Sequence, residues 1–128
     1  MSVRASATLM SIADAAAASG LTAHTLRYYE RDGLMLTAVA RAPSGHRRYT
    51  ESDLAWIRLV ARLRSTGMPI REVRAYAALV RAGDGNEVER LTLLRAHRER
   101  VLAQLIEVRD NLDEIEHKVQ LYERRLAP

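Results

Sequence analysis

The sequence predicts a mainly α-helical fold in which a winged helix-turn-helix domain is followed by a long coiled-coil helix. Three observations predict it: two short helical segments around a Gly-containing turn, a basic hairpin pattern directly after them, and a heptad repeat towards the C-terminus. The pattern divides the chain into residues 1–8, a flexible N-terminus or short edge strand, residues 9–85, the winged domain with two further helices, and residues 86–128, the coiled-coil helix.

The winged domain begins with two short helices. A Ser followed three residues later by Asp predicts a first helix over Ser11–Ala18, which Ser19-Gly20 ends. Thr22 is the cap of a second helix that continues to about Asp32, and Gly33 ends it. Two helices joined by so short a turn form the helix-turn-helix pattern.

A hairpin is predicted directly after the second helix. Leu34–Ala42 is apolar and extended, Pro43-Ser44-Gly45 predicts a turn, and His46–Tyr49 predicts a second short strand. A hairpin in this position is a wing.

Two further helices complete the domain. Thr50 and Asp53 form a capping box that opens a third helix through about Ser65. Gly67-Met68-Pro69 breaks that helix, and a fourth helix covers about Ile70–Ala82.

The last segment is predicted to be one helix from Glu87 to about Leu126, roughly 60 Å long at 1.5 Å per residue. In a heptad repeat the a and d positions form the seam between paired helices, and ten of the eleven such positions here are apolar, which indicates a coiled coil. A helix of this length extends beyond the preceding domain, so it needs a partner chain. Packing on its own domain is the alternative. Arg98, the polar exception, either fixes the register or marks where the rod leaves the domain. The a positions are Leu91, Arg98, Leu105, Leu112, Val119 and Leu126, and the d positions are Leu94, Val101, Val108, Ile115 and Tyr122. Dimerisation contacts are predicted at Leu94, Val101 and every a or d residue from Leu105 to Tyr122.

Composition excludes several classes of protein. Net charge is +5 over residues 1–85 and −1 over residues 86–128, which predicts that the front half binds a polyanion. The absence of Cys excludes disulfides, zinc fingers, iron–sulfur clusters and thiol sensing. No apolar run is long enough for a membrane helix, so a soluble, cytoplasmic protein is expected. Without a phosphate loop, metal-ligand cluster or nucleophile–base set, no enzyme, cofactor or metal site is expected.

Residues 21–50 hold the candidate nucleic-acid contacts, because His and Arg alternate there with Tyr and hydroxyl residues that bind phosphates and base edges. Arg27, midway along the second helix, either pairs with a guanine edge or phosphate or is a solubilising surface residue. Glu30 and Asp32, near Arg27 and Arg31, are interpreted as a charge-balanced helix surface rather than a catalytic carboxylate pair.

The wing supplies a second group of candidate contacts around its turn. Neighbouring residues of a strand point to opposite faces, so one of the two consecutive arginines of this group is expected to be structural. The predicted wing contacts are Arg41, His46, Arg47 and Arg48.

The strings LRYYERDGL and SGHRRYT, preceded by SIADAAAASGLTAHT, closely resemble the MerR family of transcription regulators, over nearly the whole chain. The chain is most similar to short members without an effector domain, including the aldehyde-responsive subgroup. The resemblance implies two winged helix-turn-helix DNA-binding domains joined by a long antiparallel coiled-coil dimerisation helix. The chain departs from the family in its sensing residues. The aldehyde-responsive subgroup senses with a cysteine in the third helix, at a place matching the vicinity of Arg62, and metal-sensing members use cysteines beyond the dimer helix. This chain has neither.

The resemblance also assigns contacts within the helices. His24 matches a contact position of the family, beside Thr25 at the helix N-terminus where side chains enter the groove first; simple exposure is the alternative for His24. Tyr28 and Tyr29 cannot both face inward, and the family favours Tyr29 for a phosphate contact. Arg64 matches a backbone-contacting position, with an internal salt bridge as the alternative.

The leading hypothesis is a sequence-specific dimeric transcription regulator that binds a pseudo-palindromic promoter site in double-stranded DNA. The resemblance implies that the dimer distorts the DNA between the −35 and −10 elements and so realigns them for RNA polymerase. The alternatives are an architectural or excisionase-like DNA-bending protein without a transcriptional switch, and a coiled-coil adaptor with a vestigial DNA module. A small-molecule effector is expected either near Trp56 and Tyr76, between the third and fourth helices and the partner's coiled coil, or not at all.

Overall fold

The computed structural model describes residues 9–128, so the flexible end or edge strand predicted for residues 1–8 lies outside the described residues. The elements follow in the order α1 (Ile12–Ser19), α2 (Ala23–Arg31), β1 (Ala40–Arg41), β2 (Arg47–Arg48), α3 (Glu51–Ser65), α4 (Ile70–Arg81) and α5 (Glu87–Leu126). Two compact units divide after Leu91, and the second, Thr92–Pro128, contains most of α5.

Short-range hydrogen bonds start and end the first two helices as the sequence predicts. The Ser11 hydroxyl accepts from the backbone N–H of Asp14 at 3.1 Å, and the Thr22 hydroxyl accepts from that of Thr25 at 3.0 Å. Gly20 ends α1 with φ at 76°, a left-handed conformation that glycine adopts without steric cost. The predicted helix-turn-helix is confirmed.

The third and fourth helices also lie where they were predicted. Thr50 and Asp53 form a reciprocal capping box, in which each side chain accepts from the other's backbone N–H at 3.0 Å. Pro69 stands at the N-cap of α4, where its missing N–H leaves no helical hydrogen bond unmade.

The wing is shorter than predicted, and the strand expected over Leu34–Ala42 is wrong in extent. Only Ala40–Arg41 pairs with Arg47–Arg48, in antiparallel register. The preceding run is apolar because Leu34, Met35 and Val39 are buried in the core and not because they form a strand. An isolated bridge between Met10 and Tyr49 continues the pairing beyond β2, with both hydrogen bonds at 2.7 Å.

The core of the first unit lies between α1, α2, α3 and α4. The helices contribute side chains from one face each, as the 3.6-residue period requires, and the segments between the helices add others. Trp56 ties α3 to the segment after α2, since its indole Nε1–H donates to the Leu34 carbonyl at 2.6 Å. The largest fully buried side chains are Tyr49, Leu26, Leu34, Ile57, Met68, Val60 and Val73.

The start of α5 is fixed by its own side chains. Hydrogen bonds from the backbone N–H groups of Glu87 and Gly85 lower the pKa of the Glu87 carboxyl, and the Gly85 N–H donates to that carboxylate at 3.0 Å. Arg90 donates to the Asn86 side-chain oxygen at 2.6 Å and also to the carbonyls of Leu79 and Gly83. The predicted single long helix is confirmed.

Candidate nucleic-acid interface

One face of α2 is polar and exposed, and the other is packed in the core. Leu26 and Tyr29 are buried, at 1% and 5% exposure. The exposed side chains recur at intervals of three and four residues, so they form one outward surface. These are His24, Arg27, Tyr28 and Arg31.

The two adjacent tyrosines of α2 have different environments. Tyr28 is 37% exposed, whereas Tyr29 is 5% exposed, with the two ring centroids 6.3 Å apart. Burial raises the pKa of the Tyr29 phenol, and the nearby charge of Arg64 offsets part of that effect. The Tyr29 ring is thus a core residue, and Tyr28 offers the more accessible side chain; the phosphate contact of Tyr29 stays a prediction.

The first turn of α2 holds one exposed side chain, His24, and one that takes part in the helix cap, Thr25. The Thr25 hydroxyl lies 2.9 Å from the Thr22 hydroxyl, so it takes part in the cap of the helix. His24 is exposed beside it. Of the two predicted N-terminal contacts, His24 is the side chain that projects from the surface.

A cleft of about 170 Å³ lies between α1, α2 and the wing, and it brings together half of the predicted contacts. A tetrahedral phosphate with its oxygens is smaller than this space, and every titratable side chain on its wall is basic. Sequence reasoning missed the wall formed by Ser11 and Ile12, although the Ser11 cap was a signal, because the first N–H groups of a helix attract anions. The lining residues are Ser11, Ile12, Arg27, Arg41, Gly45, His46, Arg47 and Arg48. We name this the basic cleft.

Glu30 connects α2 to the wing. Its carboxylate accepts from Arg47 Nε at 2.5 Å and lies 3.6 Å from Arg41 Nη2. The Arg47 and Glu30 side chains are 20% and 19% exposed, so this pair is shielded from solvent. The interpretation of Glu30 as surface charge balance is thus corrected, and Arg47 is the structural member of the Arg47–Arg48 pair.

The tip of the wing is held by its own polar groups. Ser44 Oγ lies 2.8 Å from His46 Nδ1, and Arg41 donates to the Gly45 carbonyl at 3.3 Å. Arg48 donates to the Arg47 carbonyl at 3.3 Å and remains half-buried. These contacts orient the basic side chains around the turn without neutralising them.

The far end of α2 is anchored on α4. Arg74 forms an ion pair with Asp32 at 2.5 Å, and Arg81 donates to the Gly33 carbonyl at 2.5 Å. Asp32 is therefore an inter-helix anchor and not part of a balanced helix surface. No local pattern could reveal these contacts, since 42 and 48 residues separate the partners.

Arg64 was predicted to contact the DNA backbone or to form an internal salt bridge, and among the described residues it makes a local hydrogen bond. Its guanidinium donates to the Met68 carbonyl at 2.8 Å and so closes the turn between α3 and α4. The side chain stays on the surface, which leaves its remaining N–H groups available for a phosphate.

Tyr49 lies after β2, at 1% exposure. Its hydroxyl has no hydrogen-bond partner among the residues that the structure describes. Burial raises the pKa of this phenol, with opposing effects from the charges of Arg47 and Glu30.

The predicted effector residues form a stacked aromatic pair. The rings of Trp56 and Tyr76 lie 5.8 Å apart with an interplanar angle of 12°. Trp56 is 8% exposed, and its N–H is already bonded to a carbonyl, so the half-buried Tyr76 is the member within reach of a ligand. Over residues 9–128 no group of three or more His, Cys, Asp or Glu side chains is placed to hold a metal ion.

The predicted dimerisation residues lie along α5 in the second unit. Leu105, Val108, Leu112, Ile115, Val119 and Tyr122 are 43% to 62% exposed, and Leu94 and Val101 are half-buried. In the part of the chain that is described, no helix is both long and apolar enough to cross a membrane.

Two protein-family models match the chain, and together they cover residues 10–118. The model for MerR HTH family regulatory proteins matches residues 10–79, and a second model, for MerR DNA binding, matches residues 54–118. An uncharacterized HTH-type transcriptional regulator from Haemophilus influenzae is 36% identical over 90% of this chain and 84% of its own length. The HTH-type transcriptional regulator AdhR from Bacillus subtilis is 41% identical over 73% of this chain and 66% of its own length.

Solved structures resemble the whole chain as well. The crystal structure of HiNmlR, a MerR family regulator that lacks the sensor domain and is bound to promoter DNA, superposes with a TM-score of 0.81 at 35% identity and covers 91% of this chain and 92% of that one. A MerR family transcriptional regulator from Listeria monocytogenes has a TM-score of 0.81 at 32% identity, over 89% and 86% of the two chains.

Proposed function

The chain belongs to the MerR family of helix-turn-helix transcription regulators, and we propose that it acts as a cytoplasmic homodimer on a pseudo-palindromic promoter site. The observation that carries the proposal is the basic cleft, in which α1, α2 and the wing place five predicted DNA contacts around one space large enough for a phosphate. The relative HiNmlR has been crystallised with promoter DNA, which supports the same use of this surface.

Each part of the cleft has a distinct role in this proposal. Arg27 projects from the exposed face of α2, where it can reach a guanine edge in the major groove. Arg41, His46 and Arg48 grip the adjacent phosphates, while Arg47 holds the wing in place through Glu30. Tyr28 adds a hydroxyl towards the backbone from the same face as Arg27.

The dimer is supported by the exposed apolar face of α5. An isolated helix that leaves six large apolar side chains 43% to 62% exposed gains free energy when a second helix covers them. Two identical DNA-binding domains related by a two-fold axis bind a site whose halves are inverted repeats.

The proposed regulatory step is distortion of the DNA between the −35 and −10 elements, which realigns them for RNA polymerase. Bending a site of this size costs on the order of 1–6 kcal/mol. Phosphate contacts from two basic clefts supply that free energy, so binding is expected to weaken steeply with salt.

Fluorescence anisotropy with a palindromic sequence from a promoter next to the protein's own gene tests the site. Arg27→Ala is expected to weaken specific binding by about 1–3 kcal/mol, and Arg48→Ala to weaken binding to all sequences and reduce the salt slope by about one. Arg124→Ala, which removes the same charge from the exposed end of α5, serves as the control. Equal losses in all three variants would show that the basic cleft is not the reading surface.

Transcription in vitro with RNA polymerase separates this function from a purely architectural one. A regulator changes transcript output from the bound promoter, and the change disappears in Arg27→Ala. DNA bending without any change in output would favour the architectural alternative.

The effector site is proposed at Tyr76, because its ring is half-buried over the single Trp of the chain. A ligand there would change Trp56 fluorescence, and Tyr76→Ala would remove that change. A ligand that stabilises wild type and Tyr76→Ala equally in a thermal-shift screen binds elsewhere.

A further inference from the structure

A cavity of about 390 Å³ lies between the C-terminal end of α1, the turn that follows it and the second half of α3, and it is larger than the basic cleft. One wall consists of Ala18, Ser19 and Leu21. Another wall comes from α3 alone, at intervals of three and four residues that place its members on one helix face. These are Arg58, Ala61, Arg62 and Ser65. We name this space the α1–α3 cavity.

Both titratable side chains on these walls are arginines, and neither pairs with a carboxylate of the described residues. Arg58 donates one N–H to the Ala18 carbonyl at 3.2 Å, so it ties α3 to the last turn of α1 and keeps its other N–H groups. Arg62 is exposed, and among residues 9–128 its guanidinium has no hydrogen-bond or ion-pair partner. The four-residue spacing puts two like charges side by side on one helix, which costs free energy unless a bound anion compensates them.

The hydroxyl hydrogens on the walls are engaged, so the guanidinium groups are the side-chain donors left for a ligand. Ser19 Oγ donates to the Ala16 carbonyl at 3.3 Å, and Ser65 Oγ donates to the Arg62 carbonyl at 3.0 Å. A guanidinium binds the oxygens of a carboxylate or a phosphate with paired hydrogen bonds. The polar part of a ligand in this cavity is therefore an anion.

The rest of the wall is apolar. Ala18 and Ala61 contribute methyl groups, and the half-buried Leu21 contributes a branched aliphatic side chain. Sites for small organic molecules have volumes of about 300–1,000 Å³ and combine apolar walls with a few polar or charged groups. An inorganic ion would leave most of this space and its apolar wall uncovered, so the ligand that fits carries an apolar body as well as a charge.

The α1–α3 cavity lies away from the basic cleft. That cleft includes Ser11 and Ile12 at the start of α1, whereas the cavity includes Ala18 and Ser19 at its end, about 9 Å further along the helix. The two spaces share no lining residue, and the stacked aromatic pair of α3 and α4 lines neither. The anion that the cavity fits is therefore a free small molecule and not a phosphate of DNA bound at the basic cleft.

We propose that the α1–α3 cavity binds an organic anion, a carboxylate or phosphate monoester with a small apolar body, through Arg58 and Arg62. The bound anion connects α3 with the turn at residues 19–21, which leads into α2. Binding requires neither DNA nor a second copy of the chain, so it does not depend on the proposed function.

Nuclear magnetic resonance of the isotope-labelled full chain, without DNA, tests the site with benzoate and phenyl phosphate as probes and neutral benzamide as the control. Amide signals of residues 18–21 and 58–65 are expected to shift saturably with one or both anions, with an affinity about tenfold or more above that for benzamide. Shifts confined to the basic cleft, no saturable shift with either anion, or an affinity equal to that for benzamide would overturn the proposal.

Removal of the two charges tests the residues assigned to the anion. Arg58→Gln/Arg62→Gln is expected to weaken binding of the anionic probe by about tenfold or more, because each glutamine keeps a polar side chain without the charge. Arg124→Gln/Arg125→Gln removes the same charge from the exposed end of α5 and is the matched control. Equal affinities in the two double variants would refute the role of Arg58 and Arg62.

Filling the cavity is a second test that leaves both arginines in place. Ala18→Phe puts a ring into the space and is expected to weaken binding of the anionic probe about fivefold or more. Ala17→Phe adds the same ring at the neighbouring exposed residue, which does not line the cavity, and should bind as wild type does. Thermal denaturation verifies that both variants are folded, and equal affinities in the two folded variants would contradict binding inside the cavity.

DNA binding distinguishes a free anion from a backbone phosphate as the natural occupant. Arg58→Gln/Arg62→Gln is expected to keep the promoter affinity within about twofold and the salt slope unchanged. A salt slope reduced by about two, one for each removed charge, would identify a contact with the DNA backbone and overturn the proposal. Anion binding by a wild-type protein that does not bind the promoter would retain the cavity site and reject the proposed function.

Discussion

Among single residues, Glu30 holds the wing side of the basic cleft in place. It holds Arg47 at 2.5 Å and lies 3.6 Å from Arg41, so one carboxylate of α2 positions the wing. The pair is partly buried, which makes its loss costlier than that of a surface ion pair.

Glu30→Gln is expected to lower the ratio of specific to non-specific DNA affinity about tenfold, since the wing loosens while two arginine charges become free for any phosphate. Anisotropy with promoter and scrambled DNA measures the ratio. Glu51→Gln removes an equal charge from an exposed site at the start of α3 and is the control. An unchanged ratio in Glu30→Gln would mean that the wing does not depend on this carboxylate.

The buried hydroxyl of Tyr49 predicts the direction in which its removal changes the stability of the protein. Its hydroxyl is buried without a described partner, so Tyr49→Phe is expected to increase the free energy of unfolding by about 1 kcal/mol at pH 7. Urea denaturation measures the change. A decrease would contradict a buried hydroxyl without a hydrogen-bond partner.

The raised pKa of Tyr49 also gives a pH dependence. A phenol whose folded pKa lies above the unfolded value of 10.0 contributes stability that is present below pH 10 and is lost as pH rises through the folded pKa. Wild type should therefore lose stability above pH 10 faster than Tyr49→Phe. Tyr29, with a pKa raised for the same reason, titrates in both proteins and sets the residual slope.

At the scale of elements, α3 depends on its cap. Thr50 begins the helix that contributes five buried side chains to the core, and its capping-box bonds are both 3.0 Å long. Thr50→Ala is expected to destabilise the first unit by about 1 kcal/mol, measured by chemical denaturation. Thr37→Ala, at an exposed position outside any helix, is the matched control and should change stability little. Equal effects would mean that the cap contributes nothing specific.

Element boundaries show how far local sequence reaches. Caps such as Ser11, Thr22 and Thr50 act within three residues, so the helices could be located from the sequence alone. The extent of β1 could not, because an apolar run has the same composition whether it pairs with a strand or is buried in the core as Leu34 and Met35 are.

At the scale of the whole molecule, reading and dimerisation are expected to be linked. Leu105→Asp places a charge in the middle of the exposed seam of α5 and should weaken dimerisation by at least tenfold. Promoter affinity should fall with it, because each copy then binds a half-site alone. Ala103→Asp, on the outer side of the same helix, is the control. Monomeric Leu105→Asp with full promoter affinity would contradict a two-fold reader.

The sequence by itself determined the order of helices, the presence of the hairpin, the exposed basic face of α2 and the heptad pattern of α5, because each depends on residue periods, caps and charges that act over a few positions. Only the tertiary structure decided which side chains are exposed and which are bound by another residue. Tyr29 is buried while Tyr28 is exposed, Arg47 is bound by Glu30, and Asp32 is bound by Arg74. These outcomes depend on partners 17 and 42 residues away in the chain, which packing alone brings together.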